Sequence, residues 1–120
     1  MTELADMPCV EGDANTPPVR GDQAQKLLGE LGNGWKISGT GHLEKIFVFK
    51  NFVEAISFAN QVGDIAEEQR HHPDLHIVWG RCGVEIWTHT IGGLSESDFY
   101  LAAKVNRAHN QMVKASESNQ

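Results

Sequence analysis

The stretch QRHHPDLHIVWG, residues 69 to 80, sets two histidines side by side, follows them with a proline, and adds a third histidine four residues after the pair. A fourth, His89, comes soon after in WTHT. Imidazole titrates near neutral pH, so histidines at this density can pass protons or ligate a metal. Pro73 disfavours helical geometry at His72, so a helix entering from the N-terminal side ends near Arg70 or His71. Glu67 lies four residues before His71, on the same side of that helix and within side-chain reach. A carboxylate neighbour and a helix C-terminus both favour a protonated ring, each by roughly 0.3–1 kcal/mol when exposed.

The segments DLHIVW and VEIWTHT flank GRCG and read as a β-hairpin. With GRCG as a four-residue loop, Trp79 faces Val84, Ile77 faces Ile86, Leu75 faces Thr88 and Asp74 faces His89. Apolar partners coincide across this ladder, which supports the register, since a one-residue slip would mix the faces. His89 then stands beside Asp74, one or two residues from His72, and three histidines converge at the open end of the hairpin. Alternation assigns Leu75, Ile77, Trp79, Val84 and Ile86 to the core. It puts Asp74, His76, Trp87 and His89 on the opposite face. An indole there suggests a pocket wall or a subunit contact.

A metal centre is the first rival. Adjacent histidines at a helix terminus diverge, His76 is placed one pair further along the ladder, and no CxxC, HExxH or carboxylate facial triad accompanies them. Metal binding is therefore disfavoured. No GxSxG motif or reactive-cysteine context supports a nucleophile. Taken singly, His72-Pro73 ends a helix and Asp98 belongs to the first turn of the last one, both ordinary structural uses. Taken together, three histidines and two acids at one corner favour proton transfer.

The elements that must position these residues are legible in outline. GDQAQKLLGELG reads as a short helix, capped by Asp22, with Leu27, Leu28 and Leu31 as its stripe and Gly32 or Gly34 as its stop. GWKIS and HLEKIFVFK read as a strand pair turned at Gly39 and Gly41. Asn51 caps the clearest helix, with Glu54 at capping-box spacing; Phe52, Ala55, Ile56, Ala59, Val62, Gly63 and Ala66 share its apolar stripe. A last helix starts at Ser95 and runs through Phe99, Ala102, Ala103 and Val105 to about Lys114. The order α-β-β-α-β-β-α, with tight turns between paired strands, predicts an α+β fold: a four-stranded antiparallel sheet with three helices packed on one face.

The predicted organisation is a mobile N-terminal leader over residues 1–20, a single domain over 21–114 and a flexible tail over 115–120. A chain of 120 residues with 40% hydrophobic and 22% charged residues suits one soluble domain with a real core. A net charge of -6 and the lack of a basic patch argue against direct nucleic-acid binding. No apolar run approaches the length of a membrane span, and the N-terminus has no basic start or apolar stretch, so a cytoplasmic location is expected. Cys9 in the leader and Cys82 in the expected turn are read as free thiols.

At this point the residues carry a resemblance. EEQRHHPDLHIVWGRCGVEIWTHTIGGLSESDF looks like the signature of the pterin-4a-carbinolamine dehydratases: a double histidine with proline, a hairpin ending in Thr-His, then Gly-Leu-Ser-Glu and an aspartate. Gly34-Trp35 and FKNFVEAISFAN match as well, so the similarity covers about residues 22 to 110. It implies the same fold and dehydration of 4a-hydroxytetrahydropterin to quinonoid dihydropterin, in the recycling that follows aromatic amino acid hydroxylation. No metal or other cofactor is implied.

By motif position, His71 and His89 would be the acid-base pair, and His72 would contact the pterin and its hydroxyl. Pro73, Thr88, Thr90 and Ile91 would line the substrate site, with Glu67 and Asp98 orienting or charge-balancing the histidines. Many relatives carry an acid where this chain has Thr90. The family implies dimers or dimers of dimers. It also includes binding proteins, one assisting dimerisation of a homeodomain transcription factor and others assembling Rubisco; His71, His72, His89 and Asp98 favour the enzyme here.

Overall fold

The computed structural model describes residues 3–118. Helix α1 spans Gly21–Leu31, strands β1 and β2 span Lys36–Ile37 and Leu43–Val48, and helix α2 spans Phe52–Gln69. Strands β3 and β4 span Asp74–Val78 and Arg81–Ile86, and helix α3 spans Glu96–Ser118. The four strands form one antiparallel sheet in the order β1-β2-β4-β3, with the helices against one face. The predicted α+β architecture and element order are what the chain adopts.

Local chemistry explains the boundaries. The Asn51 side chain accepts the Glu54 N–H at 2.9 Å and opens α2 as a side-chain cap. Arg70 closes that helix in the left-handed conformation (φ 55°), and the N–H groups of Arg70 and His71 both return to the Ala66 carbonyl. α1 differs from expectation at its start: Arg20, not Asp22, occupies the cap position and no side chain caps it. Gly32 ends it as read, its N–H bonding Leu28 O.

The core lies between sheet and helices. Leu43 and Phe47 of β2 and Cys82, Val84 and Ile86 of β4 face Phe58 and Val62 of α2 and Phe99, Leu101, Ala102 and Val105 of α3. Phe58 is wholly buried, although the predicted stripe omitted it, and Phe52, which the stripe included, stays exposed. Trp35 is pinned inside by donating its indole N–H to Asn106 Oδ1 at 2.7 Å.

The β3–β4 hairpin departs from the predicted register. Val78 pairs with Arg81, Ile77 with Cys82, Leu75 with Val84 and Asp74 with Glu85. The turn is Trp79-Gly80, a two-residue connection of the favoured hairpin length, rather than GRCG. Relative to expectation β4 has slid four residues, so Thr88 does not oppose Leu75 and His89 does not oppose Asp74. An even slip leaves every side chain on its own face, which is why Leu75, Ile77, Val84 and Ile86 still point inward. The residues near the turn pay no such respect to parity: Trp79, expected in the core, is 70% exposed, and Cys82, expected in the turn, is buried in β4. Burial pushes the Cys82 thiol up to about 11. Both cysteines are free.

Within the predicted leader, 1–20, residues 3–19 lie along the domain. Lys104 Nζ donates to the carbonyls of Ala5 and Met7, each at 2.7 Å, and Val19 is buried with its N–H on Leu94 O. Helix α3 continues beyond the expected stop near Lys114. Residues 119 and 120 of the predicted tail fall outside the described residues.

Candidate active site

His71 is the first residue beyond the cap of α2 and is almost wholly buried. Its partner is not Glu67, as helical spacing predicted, but Asp98, whose Oδ1 lies 2.5 Å from His71 Nε2. The left-handed turn at Arg70 swings His71 off the Glu67 side of the helix, toward the start of α3. Glu67 instead holds His72 Nε2, in a pair open to solvent on both sides. Exposed pairs of this kind contribute little to stability; this one restricts the His72 ring.

Asp98 is fully buried and uses both carboxylate oxygens. Oδ2 accepts the Ser95 backbone N–H at 2.7 Å and the Thr88 hydroxyl at 2.9 Å, while the Ser95 hydroxyl lies 2.7 Å from Thr88 Oγ1. One oxygen therefore closes the first turn of α3, as expected of an acid at that helical position, and the other holds the imidazole. A carboxylate accepting Nε2–H fixes the ring tautomer and leaves Nδ1 as the nitrogen free to exchange a proton. Helix capping and the hold on His71 coexist, one on each oxygen.

Thr88 also explains how His89 reaches this corner. Its N–H bonds Gly93 O at 2.8 Å, closing the loop after β4 around a 3-10 turn, His89–Ile91, that ends at Gly92 with φ 61°. His89 stands next in chain to a residue bonded to Asp98, which is bonded to His71. His71 and His89 are thus linked through Asp98 and the residue before His89, and not through a strand pair between His89 and Asp74.

The remaining predicted residues divide. Pro73 is half-buried and directly follows His72. Thr88 is buried and spends its hydroxyl on Asp98, so it supports the site rather than lining it. Thr90 is exposed and donates its hydroxyl to the Asp13 carbonyl of the leader at 3.1 Å. Ile91 turns toward a cleft beside the start of α1, with Val19 and Gly92. His76 sits on the outer sheet face opposite Gly83 in β4, away from the Asp98 network.

A hollow of about 1080 Å³ lies on that outer sheet face and has neither His71 nor His89 in its lining. The Asp98 corner, by contrast, gathers a buried carboxylate, an imidazole and two hydroxyls in one hydrogen-bonded group. Among the described residues no three His, Cys, Asp or Glu side chains converge as metal ligands would.

Sequence reasoning missed two contributors. Ser95 supplies two of the polar groups around Asp98, and the Ser-x-x-Asp spacing at the helix start was the available signal. The leader is the other: Cys9 N–H bonds Gln69 Oε1 at 3.0 Å, and Val10 N–H bonds Ser97 Oγ at 2.8 Å. Gly12 lies so close that a β-carbon there would stand 2.7 Å from Thr88 Cγ2. Burial raises the Cys9 thiol to about 11, against a smaller opposing pull from Lys104.

Comparison with known proteins identifies the family. The family model described as pterin 4 alpha carbinolamine dehydratase matches residues 17–108. The chain belongs to the pterin-4a-carbinolamine dehydratase family, a family of hydro-lyases. A protein of Rickettsia canadensis, named as a candidate pterin-4-alpha-carbinolamine dehydratase, is 50% identical over 105 residues, 88% of this chain and 96% of its own. A Rubrobacter xylanophilus protein of the same designation is 47% identical over 107 residues, 89% of this chain and 99% of its own. Among solved structures, a transcriptional coactivator/pterin dehydratase from Brucella melitensis superposes with a TM-score of 0.72 at 29% identity, over 77% of this chain and 98% of that one.

Proposed function

We propose that this chain dehydrates a 4a-hydroxytetrahydropterin to the quinonoid dihydropterin, serving tetrahydrobiopterin recycling. The C4a–O bond breaks and the hydroxyl leaves as water after gaining a proton. N5 gives up its proton, and the electron pair of that N–H bond forms the C4a=N5 double bond. Two groups with near-neutral affinity for protons suit the two transfers, and His71 and His89 are assigned to them. His72, held by Glu67, is assigned to contact with the pterin and its hydroxyl, and Pro73, Thr90 and Ile91 to the rim of the substrate site. Thr88 is assigned to hold Asp98.

The observation that carries this reading is the buried His71–Asp98–Thr88 link, which orients one imidazole and delivers the loop bearing the other. A dehydratase assay on freshly generated 4a-hydroxytetrahydropterin tests it, with every rate taken above the spontaneous dehydration. Turnover by the wild-type chain is expected, and a rate equal to background would overturn the proposal.

The chain is further proposed to work as a homodimer or homotetramer in the cytoplasm. Strand β3 is a sheet edge, and Ile46, Val48, Val78 and Trp79 are exposed apolar groups, features that favour a protein partner. No helix among the described residues is long and apolar enough to cross a membrane. A second reading, a non-catalytic binding or assembly role on the same fold, is favoured by one observation: the Brucella melitensis neighbour is titled a coactivator as well as a dehydratase. Loss of all turnover with retained partner binding would favour it.

A further inference from the structure

His71 and His72 each have a carboxylate partner, but among the described residues His89 has none. It is exposed, it sits on a three-residue 3-10 turn, and its ring makes no hydrogen bond among the described residues. An imidazole on such a turn would sample several staggered rotamers, and a proton-transfer group misplaced by about 1 Å can lose about 10²-fold in rate. Something else must hold it if it is to act.

Its neighbour is an aromatic column. The His89 ring lies against the indole of Trp87, with centroids 4.2 Å apart and planes tilted by 33°. The same indole stacks on His42, with centroids 4.0 Å apart and planes within 3° of parallel. His42 is itself fixed: its Nδ1 is 2.6 Å from Glu85 Oε2, and its side chain is only 16% exposed. The turn before it is closed by Ser38 N–H donating to His42 O at 2.8 Å and His42 N–H donating to Ser38 Oγ at 3.2 Å.

The sheet sets this up. Leu43 pairs with Ile86 and Glu44 with Glu85, so the next position along the ladder brings His42 opposite Trp87. Trp87 directly follows β4 and stands two residues from Glu85, on the same face, which lets the carboxylate hold His42 against the indole. Trp87 is half-buried, packed partly against the core, and so cannot swing freely.

We propose that Trp87 and His42 are positioning residues for His89: the Glu85-anchored imidazole holds the indole, and the indole holds the His89 ring in its working orientation. This rests on the dehydratase reading above. The side of the ring away from the indole stays open to substrate, since the stack occupies one face only.

Two measurements on the full chain test it. Trp87→Leu, and the milder His42→Gln at the surface turn, are expected to lower kcat by roughly tenfold to a hundredfold and by less, respectively, while the KM for the pterin moves little. Trp87→Phe, which keeps a ring at that position, should recover most of the rate; a purely structural role would not produce that rescue at equal folding. Independently of turnover, the carbon-bound ring protons of His89 should be shifted upfield in the NMR spectrum by the indole. That shift should collapse in Trp87→Leu and diminish in His42→Gln. Wild-type kcat in a folded Trp87→Leu protein, or unchanged His89 signals, would overturn the proposal. If the wild-type chain shows no turnover above background, the dehydratase reading fails, and the NMR comparison alone decides whether the column orders His89.

Discussion

Asp98→Asn is a one-atom change that the site should not absorb. The carboxylate accepts on both oxygens, with two short donors, Ser95 N–H and the Thr88 hydroxyl, and the Ser95 hydroxyl farther off at 3.4 Å, on Oδ2, and His71 Nε2 at 2.5 Å on Oδ1. An amide has one acceptor end and one donor end. If the asparagine oxygen replaces Oδ2, both of those donors stay satisfied and the NH2 points at His71. Nε2 must then accept, and the ring proton moves to Nδ1. The opposite orientation would set the NH2 against Ser95 N–H, leaving a buried donor without a partner at a cost of about 1–3 kcal/mol. The first orientation is therefore preferred, and it holds His71 in the wrong tautomer. Stability should fall by about 1–2 kcal/mol for the weakened charge-assisted bonds, a drop in melting temperature of about 5 °C per kcal/mol for a domain of this size. The rate should fall far more, by about 10²–10⁴, because the nitrogen left to exchange protons with substrate is now the protonated one. Stopped-flow dehydratase kinetics, with melting followed by circular dichroism, separate the two effects, and imidazole 15N shifts report the tautomer directly. A pure capping role predicts about 1 kcal/mol at most and normal turnover. Normal turnover in a folded Asp98→Asn protein, or an unchanged His71 tautomer, would refute the argument.

His71→Ala and His89→Ala should each cost roughly 10²–10⁴ in rate, and the double replacement much less than their product, because groups acting as a unit are not additive. His76→Ala should keep most activity, since His76 faces the outer sheet surface; equal damage there would misplace the site. Activity should survive exhaustive chelation, and a loss restored by one metal would revive the ligand reading of the histidines. Light scattering at micromolar concentration should give at least a dimer mass, and a monomer mass would contradict the proposed assembly. His109, packed among Phe47, Phe49 and Phe58, is lowered from its ordinary 6.5 by burial first and then by Lys45. The unfolded chain then takes up the proton first, so this contribution is full above about pH 6.5 and is lost as pH falls toward the folded value. Urea midpoints from pH 7.5 to 5 should decline less steeply in His109→Gln, and parallel curves would count against the assignment.

The architecture was legible because each element carried its own signal: Asn51 before the α2 stripe, Gly32 after α1, glycines between strands. What failed was the joining of elements. GRCG offered two glycines and so read as a loop, yet the chain turns about a point two residues earlier, at Trp79-Gly80, where a two-residue connection suits the twist of the strands. The slip was even, so the faces survived and the core was read nearly right, while the account of what stands beside His89 was wrong. The candidate site was read from residue type and not from geometry. Helical spacing gave His71 to Glu67 because it assumed a helix unbroken to His71; one left-handed residue, Arg70, hands His71 to Asp98 and leaves Glu67 to His72. No local pattern encodes that exchange, since it depends on where α3 begins relative to the end of α2. The same holds for His42, 47 positions before His89 in the chain and coupled to it only because β2 and β4 are neighbours in the sheet. Periodicity reports what one element buries. Which imidazole meets which carboxylate is decided by how elements cross, and here that crossing converts a helix-capping aspartate into the group that orients a histidine.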